Sequence, residues 1–486
     1  MLNRTFASFV FVLASPGLAV PLWAQSYDLV IRGGRVIDPE TNLDARRDVG
    51  IRGGTISAVS ETPLSGTRVI DAAGLIVAPG FIDLHQHAQT AESDRLKAFD
   101  GVTTVLEMEI GVPDVAEFLA ARRDHAIINF GATANHAAER ALVFGSPVPI
   151  GQILPASSPA TNDPASTQQI DEIKSRLAAQ LDAGALGLGM GIQYTPGASR
   201  FEIIQMFRLA AEHNVPVYTH VRSAGRLDPG SSVEAVSEVI AAAAVSGAPL
   251  HIVHINSSCL KNAPDCLEMV AGARARGLDV TTEAYPYTAG MTQINSALFN
   301  QGWQEKFGIG YHELQLPDTG ERLTRERFET LHNSTKPQSV LLFLNDDATV
   351  DAVIRNPLVM IASDGEMGHP RNAGTYCRIL ARYVREQQSL TLQDAIRKMS
   401  FMPAQELERS TSEATRKGRI QVGADADIAV FDLATVSDRA TYAHPTEPST
   451  GMRYVLVGGT MVVDGGKLVP NIFPGHAIVH RPLAQH

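Results

Sequence analysis

Ala78-Pro79-Gly80-Phe81-Ile82-Asp83-Leu84-His85-Gln86-His87 is the stretch on which the reading of this chain turns. A Pro-Gly turn and an apolar, strand-like run end in two imidazoles two residues apart. Side chains at i and i+2 of a strand point the same way, so His85 and His87 can close on one metal ion. Histidine is the commonest metal ligand, and a Zn–N bond needs about 2.0–2.1 Å. A lone His-x-His arises often by chance, the alternative being two ordinary buried histidines. The turn and the apolar run sharpen this one.

Outward from this stretch, apolar strand-like runs alternate with Ala-rich helical patterns. Strands are predicted at 79–85, 102–109, 127–133, 185–191, 215–220, 250–255, 278–284 and 358–363, with helices at 171–183, 201–213, 232–246 and 264–276. Eight strands with intervening helices fit an α/β fold, a (β/α)8 TIM barrel. Residues 27–78 read instead as short strands with Gly-Gly turns, and 426–432 and 455–460 return to that pattern. The expected organisation is a barrel over 79–405 with an insertion near 286–357. A small β-sandwich domain is built from both chain ends, 26–78 plus 406–486. Residues 145–168 read as a Pro/Ser/Ala-rich loop.

Barrel enzymes place their chemistry where strands end at the C-terminal face. The first strand ends in His85 and His87, and the second offers Glu107 and Glu109. The fifth ends in His220, the sixth in His254 and the eighth in Asp364. Singly, each could be a backbone-bonded histidine or a capping aspartate. Four histidines and an aspartate at four strand ends make that explanation jointly improbable. His251 begins its strand and reads as structural. The Gly187/Gly189/Gly191 pattern lacks the lysine and helix start of a nucleotide loop, and reads as close backbone packing.

Composition bounds the class. The chain has 486 residues, 44% of them hydrophobic and 19% charged, and a net charge of −11. The length allows a sizeable core, and the acidic balance argues against a nucleic-acid partner. The first 25 residues read as an export signal: Arg4, a broken apolar core at 9–13 and 17–22, and a cleavage site at Leu22-Trp23-Ala24 before Gln25. The run is short and holds Pro16 and Pro21, which argues against a membrane anchor. A periplasmic or secreted product with no membrane association after cleavage is expected. Three cysteines make no disulfide framework; Cys259–Cys266 is the one pairing an oxidising compartment would invite.

The order His-x-His, His, His, Asp on strands one, five, six and eight resembles the amidohydrolase superfamily. The subgroup it resembles is the D-aminoacylases, the N-acyl-D-amino-acid deacylases. Supporting motifs are Gly187–Tyr194, Tyr218-Thr219-His220-Val221-Arg222, Tyr285-Pro286-Tyr287-Thr288, and Ser363-Asp364-Gly365 followed by His369-Pro370-Arg371. Three departures stand out. D-aminoacylases place a Cys ligand at the end of strand two, which this chain lacks, and 185–194 holds no Lys for carboxylation. His-x-His-Asp is replaced by a segment continuing Ala88-Gln89. The family's Lys after the strand-six histidine, a holder of the substrate carboxylate, gives way to Ile255-Asn256. Two cations close together need a shared anion. Glu109 is favoured over Glu107 because it lies nearer the strand end.

The resemblance implies a zinc-dependent hydrolase of an amide or related carbonyl–nitrogen bond, with one or two Zn²⁺ per chain. His85, His87 and Asp364 would hold one ion, and His220 and His254 the other. Metal lowers the pKa of water towards about 7; Asp364 would take the proton and pass it to the leaving amine. Tyr285 is the candidate donor to the carbonyl oxygen. Arg371 is the first choice for a substrate carboxylate, since a guanidinium can bind it bidentately, with Arg222 the second and Tyr194 and His369 as further contacts. The partner is then a small molecule carrying an amide and a carboxylate; homo-oligomer formation stays open. Three functions stand at this point. They are N-acyl-D-amino acid or D-peptide hydrolysis, hydrolysis of a cyclic amide, lactone or N-acylated xenobiotic, and a non-catalytic metal- or ligand-binding periplasmic protein. Asp364 argues against the last, because binding alone needs no proton shuttle.

Overall fold

The computed structural model describes residues 26–146, 153–334 and 336–481; the expected export signal lies outside them. The eight strands read from the sequence form one parallel sheet in chain order: Phe81–Asp83, Val102–Val112, Asn129–Asn135, Leu188–Gly191, Val217–His220, Leu250–Ile252, Val280–Ala284 and Val359–Ile361. The ring closes just past the ends of the first and eighth strands. There His87 N donates to Gly365 O at 2.9 Å, and Gly365 N donates to His85 O at 3.1 Å. Both arms of the centre are thereby tied together at the seam.

The run at 79–85 splits at Gly80. Ile76–Pro79 pairs with Ile428–Phe431 in the β domain, and Phe81–Asp83 enters the barrel. A Cβ at Gly80 would lie 2.2 Å from Thr103 Oγ1, so only glycine lets the chain cross between the two sheets here. The β domain is a nine-stranded sheet whose strands come from 27–79 and 428–468. Its apolar face (Ile31, Val36, Val49, Ile56, Val77, Val430) makes a core of its own.

Helices pack around the barrel by the expected logic. Thr167–Asp182 begins with a capping box, Ser166 accepting from Gln169 N, and buries Ile170, Ile173, Leu177 and Leu181 at helical spacing. Ser232–Ser246 ends at Gly247 with φ 80°, the left-handed cap that glycine adopts at no steric cost. Between the seventh and eighth strands, a three-stranded antiparallel sheet (Ala289–Gln293, Leu314–Gln315, Ser339–Phe343) and short helices form a subdomain. An aromatic cluster of Phe299, Trp303, Tyr311 and Phe328 packs it. Cys259, Cys266 and Cys377 are buried free thiols. Among the described residues no helix is long and apolar enough to cross a membrane.

Candidate metal centre

The donor atoms at the C-terminal mouth fall into two groups. His85, His87, Glu109 and Asp364 form one; Glu109, His220 and His254 form the other, and within each group all donors lie within 4.8 Å of one another. Glu109 belongs to both. Its Oε2 is 3.0 Å from His85 Nε2 and 3.1 Å from His87 Nε2. Its Oε1 is 2.6 Å from His220 Nδ1 and 3.0 Å from His254 Nε2. A single carboxylate thus faces four imidazoles, one oxygen to each pair.

Each imidazole is held from behind. Carboxylate and amide oxygens can only accept, so the outer nitrogen must carry a proton, and the inner one is left to offer a lone pair once its own proton is lost. His85 Nδ1 donates to Glu283 Oε1 at 3.0 Å, His87 Nδ1 to Glu107 Oε2 at 2.7 Å, and His220 Nε2 to Gln193 Oε1 at 2.7 Å. His254 Nδ1 lies 3.0 Å from Ser258 Oγ. This set of convergent nitrogens and carboxylate oxygens suits zinc-type ions. His85 and His87 point Nε2 at each other across 3.2 Å, a facing pair that a cation between them would satisfy.

The backbone is bent to serve this array. His254 has φ 31° and Asp364 φ 49°; the left-handed region is uncommon for side chains other than glycine and costs of order 1–3 kcal/mol where strained. Gly189 brings the fourth strand against the end of the second, where an added Cβ would sit 2.7 Å from Glu109 O. Beneath the site, buried Asp83 accepts from His85 N, Ser363 N and Lys97 Nζ, linking strand one to strand eight.

The electrostatics follow the geometry. Burial alone would lower the His85 pKa, but the Asp364, Glu109 and Glu283 carboxylates outweigh it and push it up to about 10. His87 is raised well above the usual range by Glu107, Asp364 and Glu109 against the same burial. Burial would raise the Glu109 carboxyl, yet the surrounding histidines hold it well below its ordinary value. Asp364 is also held low: Arg371 and the histidines overcome its burial. Burial lowers His220. His85 and His87 are therefore held protonated until a cation displaces those protons.

The other sequence candidates take definite places. Tyr285 and Tyr194 line the cavity above the centre; Tyr194 Oη is 3.0 Å from Thr292 Oγ1 and its ring meets His220 edge-on. Arg371 is fully buried beside the cavity rather than lining it. Its Nη1 is 2.7 Å from Asp364 Oδ2, an ion pair, while Nε and Nη2 have no hydrogen-bond partner, and its guanidinium lies 4.6 Å from the Tyr285 ring centre.

Three expectations need correction. Glu107 belongs to neither donor group; it clamps the outer nitrogen of His87. Arg222 is engaged away from the cavity by Glu238 and by the carbonyls of Pro196 and Ala198. His369 does not line the cavity above the centre: its Nε2 donates to Ala289 O, its Nδ1 accepts from Arg371 N, and its ring packs on Tyr287 and Tyr442. It positions Arg371. The sequence reading missed Glu283, Gln193 and Ser258. A carboxylate near the C-terminal end of a predicted barrel strand was the available signal for Glu283.

Residues 159–463 match the amidohydrolase family model. N-acyl-D-glutamate deacylase of Alcaligenes xylosoxydans xylosoxydans is 32% identical, covering 94% of this chain and 96% of its own. D-aminoacylase of the same organism is 28% identical over 90% and 95%. The crystal structure of N-acyl-D-glutamate deacylase from Bordetella bronchiseptica, complexed with zinc and a phosphonate mimic of the tetrahedral intermediate, superposes with TM-score 0.79 at 27% identity, covering 94% of this chain and all of that one. With this match over most of the chain and a paired His/carboxylate centre at the barrel mouth, the protein belongs to the amidohydrolase family and is a metal-dependent hydrolase.

Proposed function

We propose that the protein is a zinc-dependent deacylase that hydrolyses the amide bond of N-acyl-D-amino acids. The observation that carries this reading is Glu109, one buried carboxylate shared between two histidine pairs, beside an ionised aspartate. Likeness to deacylases and to a D-aminoacylase supports the substrate class. His85, His87, Asp364 and Glu109 would hold one ion, and His220, His254 and Glu109 the other. Bound zinc supplies acidification of the attacking water, towards a pKa of about 7, and polarisation of the scissile carbonyl.

The remaining steps belong to the chain. Asp364 turns Oδ1 towards the Nε2 atoms of His85 and His87, at 3.4 and 3.2 Å, and Oδ2 towards Arg371. Its depressed pKa keeps the carboxylate ionised and ready to take the water proton, which it returns to the leaving amine nitrogen. The C–N bond breaks, and a carboxylate and an amine leave. Tyr285, its phenol held protonated by burial, donates to the carbonyl oxygen as it gains charge. Arg371 gives a fixed positive field for the substrate carboxylate. Amine release from N-acyl-D- and N-acyl-L-amino acids, with metal-stripped and zinc-reloaded protein, tests this. D-selective, zinc-dependent release is the expected result; cleavage of cyclic amides or lactones alone would overturn it.

Export is part of the same proposal. Arg4, the broken apolar core and Leu22-Trp23-Ala24 support it. Sequencing of the mature N-terminus after expression in a Gram-negative host should find Gln25 first; an intact Met1 in the cytoplasm would overturn it.

A further inference from the structure

The cavity over the metal centre has a volume of about 400 Å³, within the roughly 300–1,000 Å³ range of pockets that hold drug-sized ligands. An apolar part of its wall comes from the insertion, Met291, Leu298, Phe307, Leu342 and Leu344, and Ile153 joins them in the lining. Part of that wall is packed from behind, because Leu298, Phe307 and Leu342 also belong to the insertion's buried core. Among the described residues no lysine or arginine lines this cavity, while Glu107, Glu109, Asp364 and Glu366 do. A second chamber of about 340 Å³ shares Ala224, Phe307 and Leu344 with it and carries Arg226, Lys261 and Lys306 beside Glu305 and Asp346. Lysine and arginine side chains thus line the neighbouring chamber and not this one.

From this lining we infer that the substrate is a lipophilic N-acyl amino acid with a single carboxylate: a medium-length apolar acyl chain, of about octanoyl size, on an amino acid with an uncharged side chain. The inference rests on the deacylase reading above and narrows it. An acetyl group with a small side chain would leave the apolar wall in water, and burying apolar surface is the main source of affinity in such a pocket. A second carboxylate would lose its hydration with no cation to meet it and would face Glu366 besides. No lysine or arginine in the lining answers an acidic side chain, although one relative is a deacylase of N-acyl-D-glutamate.

Four substrates test this with zinc-loaded protein: N-acetyl- and N-octanoyl-D-leucine, and N-acetyl- and N-octanoyl-D-glutamate. The expected kcat/KM rises at least ~10-fold from acetyl to octanoyl on leucine, the scale on which a hydrophobic pocket discriminates, and falls at least ~10-fold from leucine to glutamate at either chain length. Calorimetric titration of the metal-free protein should rank N-octanoyl-D-leucine above N-octanoyl-D-glutamate, a readout that needs no turnover. Leu344→Arg, at a partly exposed wall position, should abolish the octanoyl preference, read as the ratio of kcat/KM for N-octanoyl- to N-acetyl-D-leucine; Leu298→Ala is the second wall variant and should narrow the same ratio. A flat chain-length series, or preference for glutamate, overturns this inference and leaves the deacylase reading standing. Failure to cleave any of the four overturns both.

Discussion

Glu283 Oε1 sits 3.0 Å from His85 Nδ1 and 2.6 Å from His254 N, so one carboxylate on the seventh barrel strand orients a donor of each metal group. Behind metal-ligating histidines, such partners typically carry 10–100-fold in affinity or activity. Glu283→Gln should therefore lower zinc affinity by about that factor while the fold persists, measured by competition with a chromophoric chelator. Unchanged affinity would mean that the tautomer of His85 is fixed some other way.

The bridge and the clamp on strand two separate by mutation. Glu109→Gln removes the charge shared by both groups and should reduce bound zinc to at most one ion per chain, with activity down by at least ~10²-fold, the scale of a lost charge-stabilising group. Glu107→Gln removes only the partner of His87 Nδ1 and should cost about 10-fold. Metal analysis by mass spectrometry and kcat on the two variants would reverse this ranking if Glu107 were the bridging ligand.

Much of this site was legible from residue order alone. His-x-His and three further strand ends named five donors and the barrel that gathers them. The outer partners were not, because Glu283, Gln193 and Ser258 act on the far side of an imidazole, and which ring nitrogen faces inward depends on packing between strands. Glu107 and Glu109 share a strand parity, so parity could not separate a ligand from its clamp, and only nearness to the strand end favoured Glu109. The depth of each on the strand decides it. Arg222 and His369 were misplaced for a related reason: position just beyond a strand end does not say whether a side chain turns into the mouth or back into the wall. The Pro79-Gly80 turn was legible, but not that it divides two sheets, since the residues on both sides of it are strands.

Asp364→Asn offers a clean test of the proton shuttle. Asparagine tolerates the left-handed φ of 49° found there and keeps one oxygen for metal, but it cannot take a proton near pH 7. A drop in kcat of at least ~10²-fold with bound zinc retained is expected. Turnover near that of the parent, with only a lowered melting temperature, would reduce Asp364 to a structural residue.

Zinc must displace protons to enter. The folded, metal-free protein holds His85 at a pKa of about 10, above the ordinary value near 6.5. A raised folded pKa stabilises the fold fully below the unfolded value, and that stability is lost as pH rises through the folded one. Metal-free protein should thus lose melting temperature between about pH 7 and 10. Zinc binding at pH 7 should release at least one proton per chain. Calorimetry in buffers of different ionisation enthalpy counts these protons, and a count of zero would contradict the protonated imidazoles.

The most direct measurement is the release of free D-amino acid from an N-acyl-D-amino acid by one protein sample, before chelation, after chelation, and after zinc is restored. Activity that disappears with the metal and returns with one to two zinc ions per chain is the expected result. Undiminished hydrolysis by metal-free protein, or no hydrolysis of any N-acyl amino acid by fully loaded protein, would contradict the assignment of this centre as the seat of amide hydrolysis.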